Sequence, residues 1–337
     1  MGRKRLPDRR NKLIGQLVHG VLIEGRNLTA VASELGLQKS TASRLMKEAR
    51  TIDAYSIHLH LPRDEQLELD LSRRYSVDAV VVPIATPRMR PGAKEGFTRL
   101  LGEAAAWYLE GPQTPLVSGQ KVGISCGATI REIVHALTPG RFERLGLVQL
   151  TVETETGAGI DQSPFTLVSA LYGKWRTGSD VYAIQPLPKT MKSGNHFSKA
   201  YEQCRKEVMD RVANLDVAIL GISRGGRNGE DSFSQILHKA GVNLDVYKKL
   251  RAIGEIANRP YDTGGVDLFA RVEGLDRHVD GVELEVLRDL VKKNKKVIAV
   301  AGGSQKVDAI ETALRTRMVN CLVTDIGTAE ELLTTGR

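Results

Sequence analysis

Cysteine is scarce in this chain. Its three residues, Cys126, Cys204 and Cys321, are odd in number, far apart and never in a C-x-x-C pair. That argues against a disulfide framework and a cysteine-built zinc site, and fits a reducing cytoplasm. Apolar residues never run to the ~20 positions that span a bilayer, so no membrane partner is expected. The opening MGRKRLPDRRNKLIG is basic but has no apolar segment behind it, unlike a secretory signal. Histidine is also sparse: of seven, only His135, His196, His238 and His278 lie beyond residue 61.

What is present is an ordinary globular composition, 41% hydrophobic and 26% charged, over 337 residues, a length that suits two domains. The charge is unevenly placed. Residues 1–50 hold eleven Lys and Arg against four acids, a net +7 of the whole chain's +8. Because this charge continues into patterned helical sequence, it reads as a nucleic-acid footprint rather than a solvated tail.

Leu13, Ile14, Leu17, Val18, Val21 and Leu22 recur at helical spacing up to Gly25. Thr29 is then expected to cap a short helix with Val31, Ala32 and Leu35 inward. Gly36 follows as a turn, and a second helix from Ser40 to about Arg50 buries Ala42, Leu45, Met46 and Ala49. Helix, glycine turn, helix is the spacing of a helix-turn-helix whose second helix enters the DNA major groove. Gln38, Lys39, Ser40, Thr41, Ser43 and Arg44 lie at the start of that helix as DNA-reading candidates. Arg44 suits a bidentate pair with guanine, while Lys39, Lys47 and Arg50 suit phosphates. A helical subdomain packed on the rest of the chain is the alternative.

Residues 55–61 (YSIHLHL) alternate with period two, which predicts a strand and fits a wing. His58 and His60 fall on one face of it. With no third ligand nearby in sequence, no metal is expected there. Residues 64–75 predict an amphipathic connecting helix. The expected division is a DNA-binding domain over 1–60 and an effector domain over 61–337.

From residue 77 short apolar runs alternate with amphipathic helices. Strands are predicted at 77–84, 121–126, 147–152, 180–184, 217–223, 297–303 and 321–325, and helices at 97–110, 128–137, 196–214 and 306–317. This pattern predicts a doubly wound α/β domain, a parallel sheet with helices on both faces. Ligands of such sheets bind beyond the carboxyl ends of the strands.

Four glycine-rich turns fall at such ends. Ser125, Cys126, Gly127, Ala128 and Thr129 place main-chain N–H groups and two hydroxyls at a helix start, a neutral anion cradle. Gly221 to Arg227 contributes Ser223 and Arg224. Residues 254–265 (GEIANRPYDTGG) offer polar groups suited to hydroxyls, and residues 301–306 (AGGSQK) bring Lys306 to a strand-to-helix turn. Glycine after a strand is common; four such turns on one sheet edge point to a polyhydroxylated anion such as a sugar phosphate.

With these motifs in view, the chain resembles the SorC family of bacterial transcriptional regulators along nearly its whole length. The matches are SRLMKEAR, VGISCGATI, DVAILGIS, AIGEIANRPYDTGG and AGGSQKVDAIETALRTRMVNCLVTDIGTAEELL. The resemblance implies a winged helix-turn-helix joined to an effector domain of the sugar-phosphate isomerase/deaminase-like fold. It implies a homo-oligomer, commonly a tetramer, that binds double-stranded operator DNA under control of a phosphorylated sugar or related metabolite, with no cofactor. It places phosphate at Gly127, Ala128 and Thr129, Lys306 as cationic partner, and Glu255 and Asp262 at sugar hydroxyls. Family members often carry glycine or tryptophan at Cys126 and a larger or hydroxylated residue at Ala128, so this loop departs from the family pattern.

The competing class is an isomerase or deaminase on the same fold, which needs a positioned base. Glucosamine-6-phosphate deaminases, which the fold resembles, carry aspartate-glycine-histidine where this chain reads Ser223-Arg224-Gly225-Gly226-Arg227. Cys126 has the helix-start location of a nucleophile but no histidine partner in view. No catalytic residue is therefore assigned. A purely architectural DNA-binding protein would have little use for the near-neutral remainder and its ligand-type turns.

Overall fold

The computed structural model describes residues 6–51, 62–84, 93–111, 115–153, 160–175, 180–184, 196–226 and 232–334. The chain forms two compact units, Met1–His58 and Leu59–Arg337.

In the first unit, α1 (Leu6–Val18) runs into a π-helical turn, His19–Ile23, and α2 (Leu28–Glu34) and α3 (Lys39–Thr51) follow. The cap of α2 is Asn27 rather than the expected Thr29: its Oδ1 accepts the Thr29 amide at 2.8 Å. The asparagine side chain reaches an N–H two residues on, which its extended backbone (φ −65°, ψ 132°) allows. Gly36 turns the chain at φ +65°, where a side chain would be strained. Ile14, Leu17, Val31, Ala32, Ala42, Leu45 and Ala49 make the core, with Met46 packed against it. Leu22, expected inside, is 41% exposed because the π-turn rotates it away from the helical stripe. The strand predicted at 55–61, with His58 and His60, lies outside the described residues.

The second unit is built on a seven-stranded sheet of order β1-β11-β10-β6-β2-β3-β5. In chain order its strands are β1 (Asp78–Val82), β2 (Lys121–Ile124), β3 (Gly146–Gln149), β5 (Val181–Tyr182), β6 (Val217–Gly221), β10 (Lys296–Val300) and β11 (Cys321–Asp325), and every pairing is parallel. Alternate strand residues serve two cores. Val80, Val82, Val122, Ile124, Ile219 and Val323 face one layer: α5 (Ala93–Glu110), α6 (Ala128–Ala136) and α7 (Pro164–Lys174). Ala79, Val81, Ala218, Leu220, Ala299 and Leu322 face the other: α4 (Glu65–Tyr75), α8 (His196–Val212), α11 (Leu284–Lys292), α12 (Val307–Arg315) and α13 (Ile326–Thr334). Period-two strands buried on both faces explain the near-continuous apolar runs in the sequence. This is the expected doubly wound α/β architecture.

Three departures bear on function. The run 147–152 is two strands: after β3 the chain enters β4 (Thr151–Glu153), which pairs antiparallel with β9 (Val279–Gly281) away from the main sheet. The stretch 254–265, read as a strand-end turn, begins with a hairpin of β7 (Gly254–Ile256) and β8 (Arg259–Tyr261). A third small core, around Phe233, Leu237, Tyr247, Leu268 and Leu275, gathers α9 (Ser232–Lys239) and α10 (Leu244–Lys249) beside them.

The edge strand β1 is covered from within. Asp64 donates its amide to the Val81 carbonyl at 2.9 Å, and the Val81 amide donates to Glu68 Oε1 at 2.9 Å. Arg63 in turn donates to the same carboxylate at 2.7 and 2.5 Å. These bonds satisfy an edge that would otherwise offer unpaired polar groups. Among the described residues no helix is long and apolar enough to cross a membrane.

Candidate functional site

The carboxyl ends of β2, β6 and β10 open on one cavity of about 350 Å³. Its first wall is the loop after β2. Ser125 is buried and donates its amide to Ile219 O at 3.0 Å, tying this loop to β6. Gly127, at φ 108° and ψ 170°, is the N-cap of α6, a conformation that only glycine adopts without strain. Its own amide is engaged with Gln162 O at 3.2 Å, so the cradle's donors begin one residue later. The amides of Ala128, Thr129 and Ile130, in the first turn, lack partners within the helix and carry the positive end of its dipole. Ser125, Cys126, Gly127, Ala128 and Thr129 all line the cavity.

The second wall is Gly221, Ser223 and Arg224. Beyond β6, Ser223 forms an antiparallel bridge with Glu255 on β7, donating its amide to Glu255 O at 3.0 Å and accepting from Glu255 N at 3.1 Å. Their side chains meet as well: Ser223 Oγ donates to Glu255 Oε2 at 2.8 Å, while Glu255 Oε1 accepts the Asn258 amide at 2.5 Å. Glu255 therefore enters the site from the hairpin rather than from a strand of the main sheet.

That hairpin is held from below. Gly281 on β9 lies so close that a Cβ there would stand 1.7 Å from Ala257 O. Arg259 donates to Gly281 O at 3.0 Å and to Asp280 at 2.8 Å, with its guanidinium 4.1 Å over the Phe269 ring.

Lys306 completes the third side, in a single 3₁₀ turn, Ser304–Lys306, between β10 and α12. The turn is fixed by Asp325 at the end of β11, which is fully buried. Its Oδ2 accepts the Gly303 amide and the Thr328 hydroxyl, and its Oδ1 accepts the Thr328 amide. A side chain on Gly302 would collide with this carboxylate, at 2.3 Å. The glycines at 302–303 and the Asp325–Thr328 pair are thus two halves of one support for the turn that carries Lys306.

Asp262 does not reach this cavity. Its Oδ1 accepts the amides of Gly264 and Val266 at 2.9 and 3.0 Å, a local turn typical of aspartate before glycine. The residue lines a different, open groove of about 1400 Å³ beside α9 and α10. The larger volume belongs to that surface groove; the strand-end cavity is the one that combines buried polar groups with a helix start.

Sequence reasoning overlooked Glu153 and Asn258, both buried and both lining the cavity. Glu153 was hidden because β4 was read as the tail of β3. Asn258 carried a signal that went unused: an αL-tolerant residue between two strand-like triplets marks a tight hairpin.

Cys126 keeps some exposure as a residue while its thiol is enclosed by protein. Burial pushes the thiol well above its ordinary pKa, and the nearby carboxylates of Glu153 and Glu255 push it further. The helix-start location thus fails to produce a thiolate. Among the described residues, no group of three or more His, Cys, Asp or Glu is placed to hold a metal ion.

In the first unit, Lys39, Ser40, Arg44 and Lys47 are exposed along α3 and Gln38 just before it, with Thr41 and Ser43 half-buried. Arg10 of α1 donates to Glu48 of α3 at 2.8 and 2.5 Å, bracing the helix without engaging those residues.

Residues 60–334 match the family described as "Putative sugar-binding domain". The chain belongs to this family, that of the SorC-type transcriptional regulators. Among the proteins it is similar to, the deoxyribonucleoside regulator of Bacillus subtilis is 26% identical over 322 residues, covering 90% of this chain and 91% of that one. The sorbitol operon regulator of Klebsiella pneumoniae is 25% identical over 313 residues, covering 90% and 91%. The crystal structure of full-length SorC from Klebsiella pneumoniae matches with a TM-score of 0.62 at 24% identity, over 97% of this chain and 100% of that one, a likeness that carries the fold. The SorC-family assignment favours a regulator over an isomerase on the same fold.

Proposed function

We propose that this SorC-family regulator binds double-stranded operator DNA through α3 and senses a phosphorylated sugar, or a related polyhydroxylated anion, in the strand-end cavity. The observation that carries the reading is the cavity's make-up. Helix-start amides at Ala128 and Thr129 converge with Lys306 and Arg224, and hydrogen-bonding groups at Ser223 and Glu255 share the same space. Phosphate belongs with the first set and hydroxyls with the second. With only alanine at 128, phosphate recognition rests on backbone amides and the hydroxyl of Thr129.

The site is a sensor rather than a catalyst. Both oxygens of Glu255 are engaged, by Ser223 and by the Asn258 amide. Cys126 is held protonated, and no histidine is among the described lining residues. With both oxygens already hydrogen-bonded and no imidazole among the described lining residues, Glu255 is poorly equipped for proton transfer.

Effector binding acts through its differential affinity for two arrangements of a homo-oligomer, a tetramer by the SorC resemblance, whose paired α3 helices either do or do not match half-site spacing. The test is a fluorescence-anisotropy titration of the DNA flanking the protein's own gene, repeated with a panel of sugar phosphates. A shift in DNA affinity with one of them is the expected result. Unchanged affinity across the panel refutes the sensing half, and absence of sequence-selective binding refutes the DNA half.

A further inference from the structure

The turn between β7 and β8 is Ala257-Asn258, with φ of 51° and 65°. Two successive left-handed residues make the mirror-image hairpin turn in which asparagine and glycine are at home. Turn geometry therefore accounts for an αL-tolerant residue at 258, and glycine would satisfy it with less strain. It does not account for the side chain. Asn258 is 2% exposed, it lines the effector cavity, and its Nδ2 makes no hydrogen bond among the described residues. Its main-chain amide is already committed to Glu255 Oε1. A buried amide nitrogen without an acceptor destabilises the protein unless something else supplies that acceptor.

We infer that the Asn258 side-chain amide donates to an oxygen of the bound effector, next to a hydroxyl that donates to Glu255. This rests on the reading of the cavity as a sugar-phosphate site. One backbone hydrogen bond, from Asn258 N to Glu255, fixes the spacing between a donor and an acceptor, so the pair reads two neighbouring oxygens of opposite hydrogen-bonding sense. The ligand class that follows is a phosphorylated sugar, or its polyol or acid, with adjacent oxygen substituents on the part of the molecule remote from its phosphate. An analogue deoxygenated at either position leaves a buried polar group unpaired and is rejected, the stronger kind of discrimination a binding site can make.

The experiment compares wild type with Asn258→Gly, which keeps the left-handed turn, and Asn258→Asp, which keeps size and turn but replaces the donor. Calorimetric titration uses inorganic phosphate, glucose 6-phosphate, fructose 6-phosphate, glucitol 6-phosphate and ribose 5-phosphate as probes. The expected result is a loss of about tenfold in affinity for the tightest sugar phosphate in Asn258→Gly, and a larger loss in Asn258→Asp. Inorganic phosphate binding should stay unchanged, and the ligand-free melting midpoint of Asn258→Gly should be equal or higher. Sugar-phosphate affinity that survives both substitutions overturns this inference alone. A parallel loss of inorganic phosphate binding also overturns it, because the side chain would then only shape the cavity. If no sugar phosphate binds wild type more tightly than inorganic phosphate, the effector class falls and the inference falls with it.

Discussion

Asp325 and Gly303, 22 residues apart, are joined by a hydrogen bond of 3.0 Å from the glycine amide to a fully buried carboxylate. This contact sets the turn that presents Lys306. Asp325→Ala should cost about 3 kcal/mol, because the buried Thr328 amide and hydroxyl lose their acceptor and the Gly303 amide is left with the Thr328 hydroxyl alone. Asp325→Asn should cost less, since one oxygen remains. Urea denaturation measures the stability, and sugar-phosphate titration of the better-folded Asn variant should show weakened binding.

Gly281 and Ala257 make a second close contact, with room for no side chain between them. Gly281→Ala should destabilise by about 3 kcal/mol through forced displacement of the hairpin. Its effector affinity should fall more than that of an equally destabilising substitution in the layer of α5 and α6. A thermal-shift series with ligand separates the two effects.

Cys321 offers a pH test. Burial pushes its thiol up to about 12, and the contact with the Tyr108 hydroxyl opposes this only in part. An unfolded chain releases the proton at about pH 9 and the folded one does not, so the folded state binds more protons in that interval. The associated stability is complete below about pH 9 and lost as pH rises toward 12. The advantage of wild type over Cys321→Ala in urea should accordingly narrow between neutral pH and about pH 10.5. A constant gap would contradict the burial of the thiol.

On the DNA side, Arg44→Ala should relax sequence choice at one base pair at a cost of about 1–3 kcal/mol. Lys47→Ala should weaken binding to all sequences alike and lower the salt slope by about one. Anisotropy titrations at several salt concentrations, with operator and scrambled duplexes, distinguish the two. Intact operator preference in Arg44→Ala would show that α3 is oriented otherwise.

How far the sequence revealed these features depended on how local their causes are. The strand at 321–325 and the helix starting at residue 128 appear where their apolar period places them, because strand alternation and a glycine cap act within a few residues. The loops at 125–129, 221–224 and 306 converge as a parallel sheet requires. The β4–β9 pairing joins residues about 130 apart and leaves no local mark, so β4 passed for the end of β3. The hairpin was hidden by Pro260, which demotes a run as a strand, and by Ala257 where glycine usually signals the turn. Asp262 lies outside the strand-end cavity, and its local role is not legible because an aspartate near two glycines reads equally well as a ligand group and as a turn's own cap.

The pairing of β1 with β11 also has a consequence for synthesis. In the main sheet β1 has a single neighbour, and that neighbour is the last strand to be made. On the ribosome, Asp78–Val82 must wait for Cys321–Asp325, more than two hundred residues later, before its hydrogen bonds within the sheet can form. Contacts of such long sequence separation are slow to close and leave intermediates exposed. The helices proposed to bind DNA emerge first, whereas Asp325, which supports the turn carrying Lys306, arrives near the end. A chain stalled or cut before Cys321 would retain the residues proposed to contact DNA with neither a closed sheet nor a completed strand-end cavity. Nascent and truncated forms are therefore the species to watch for DNA occupancy that no metabolite controls.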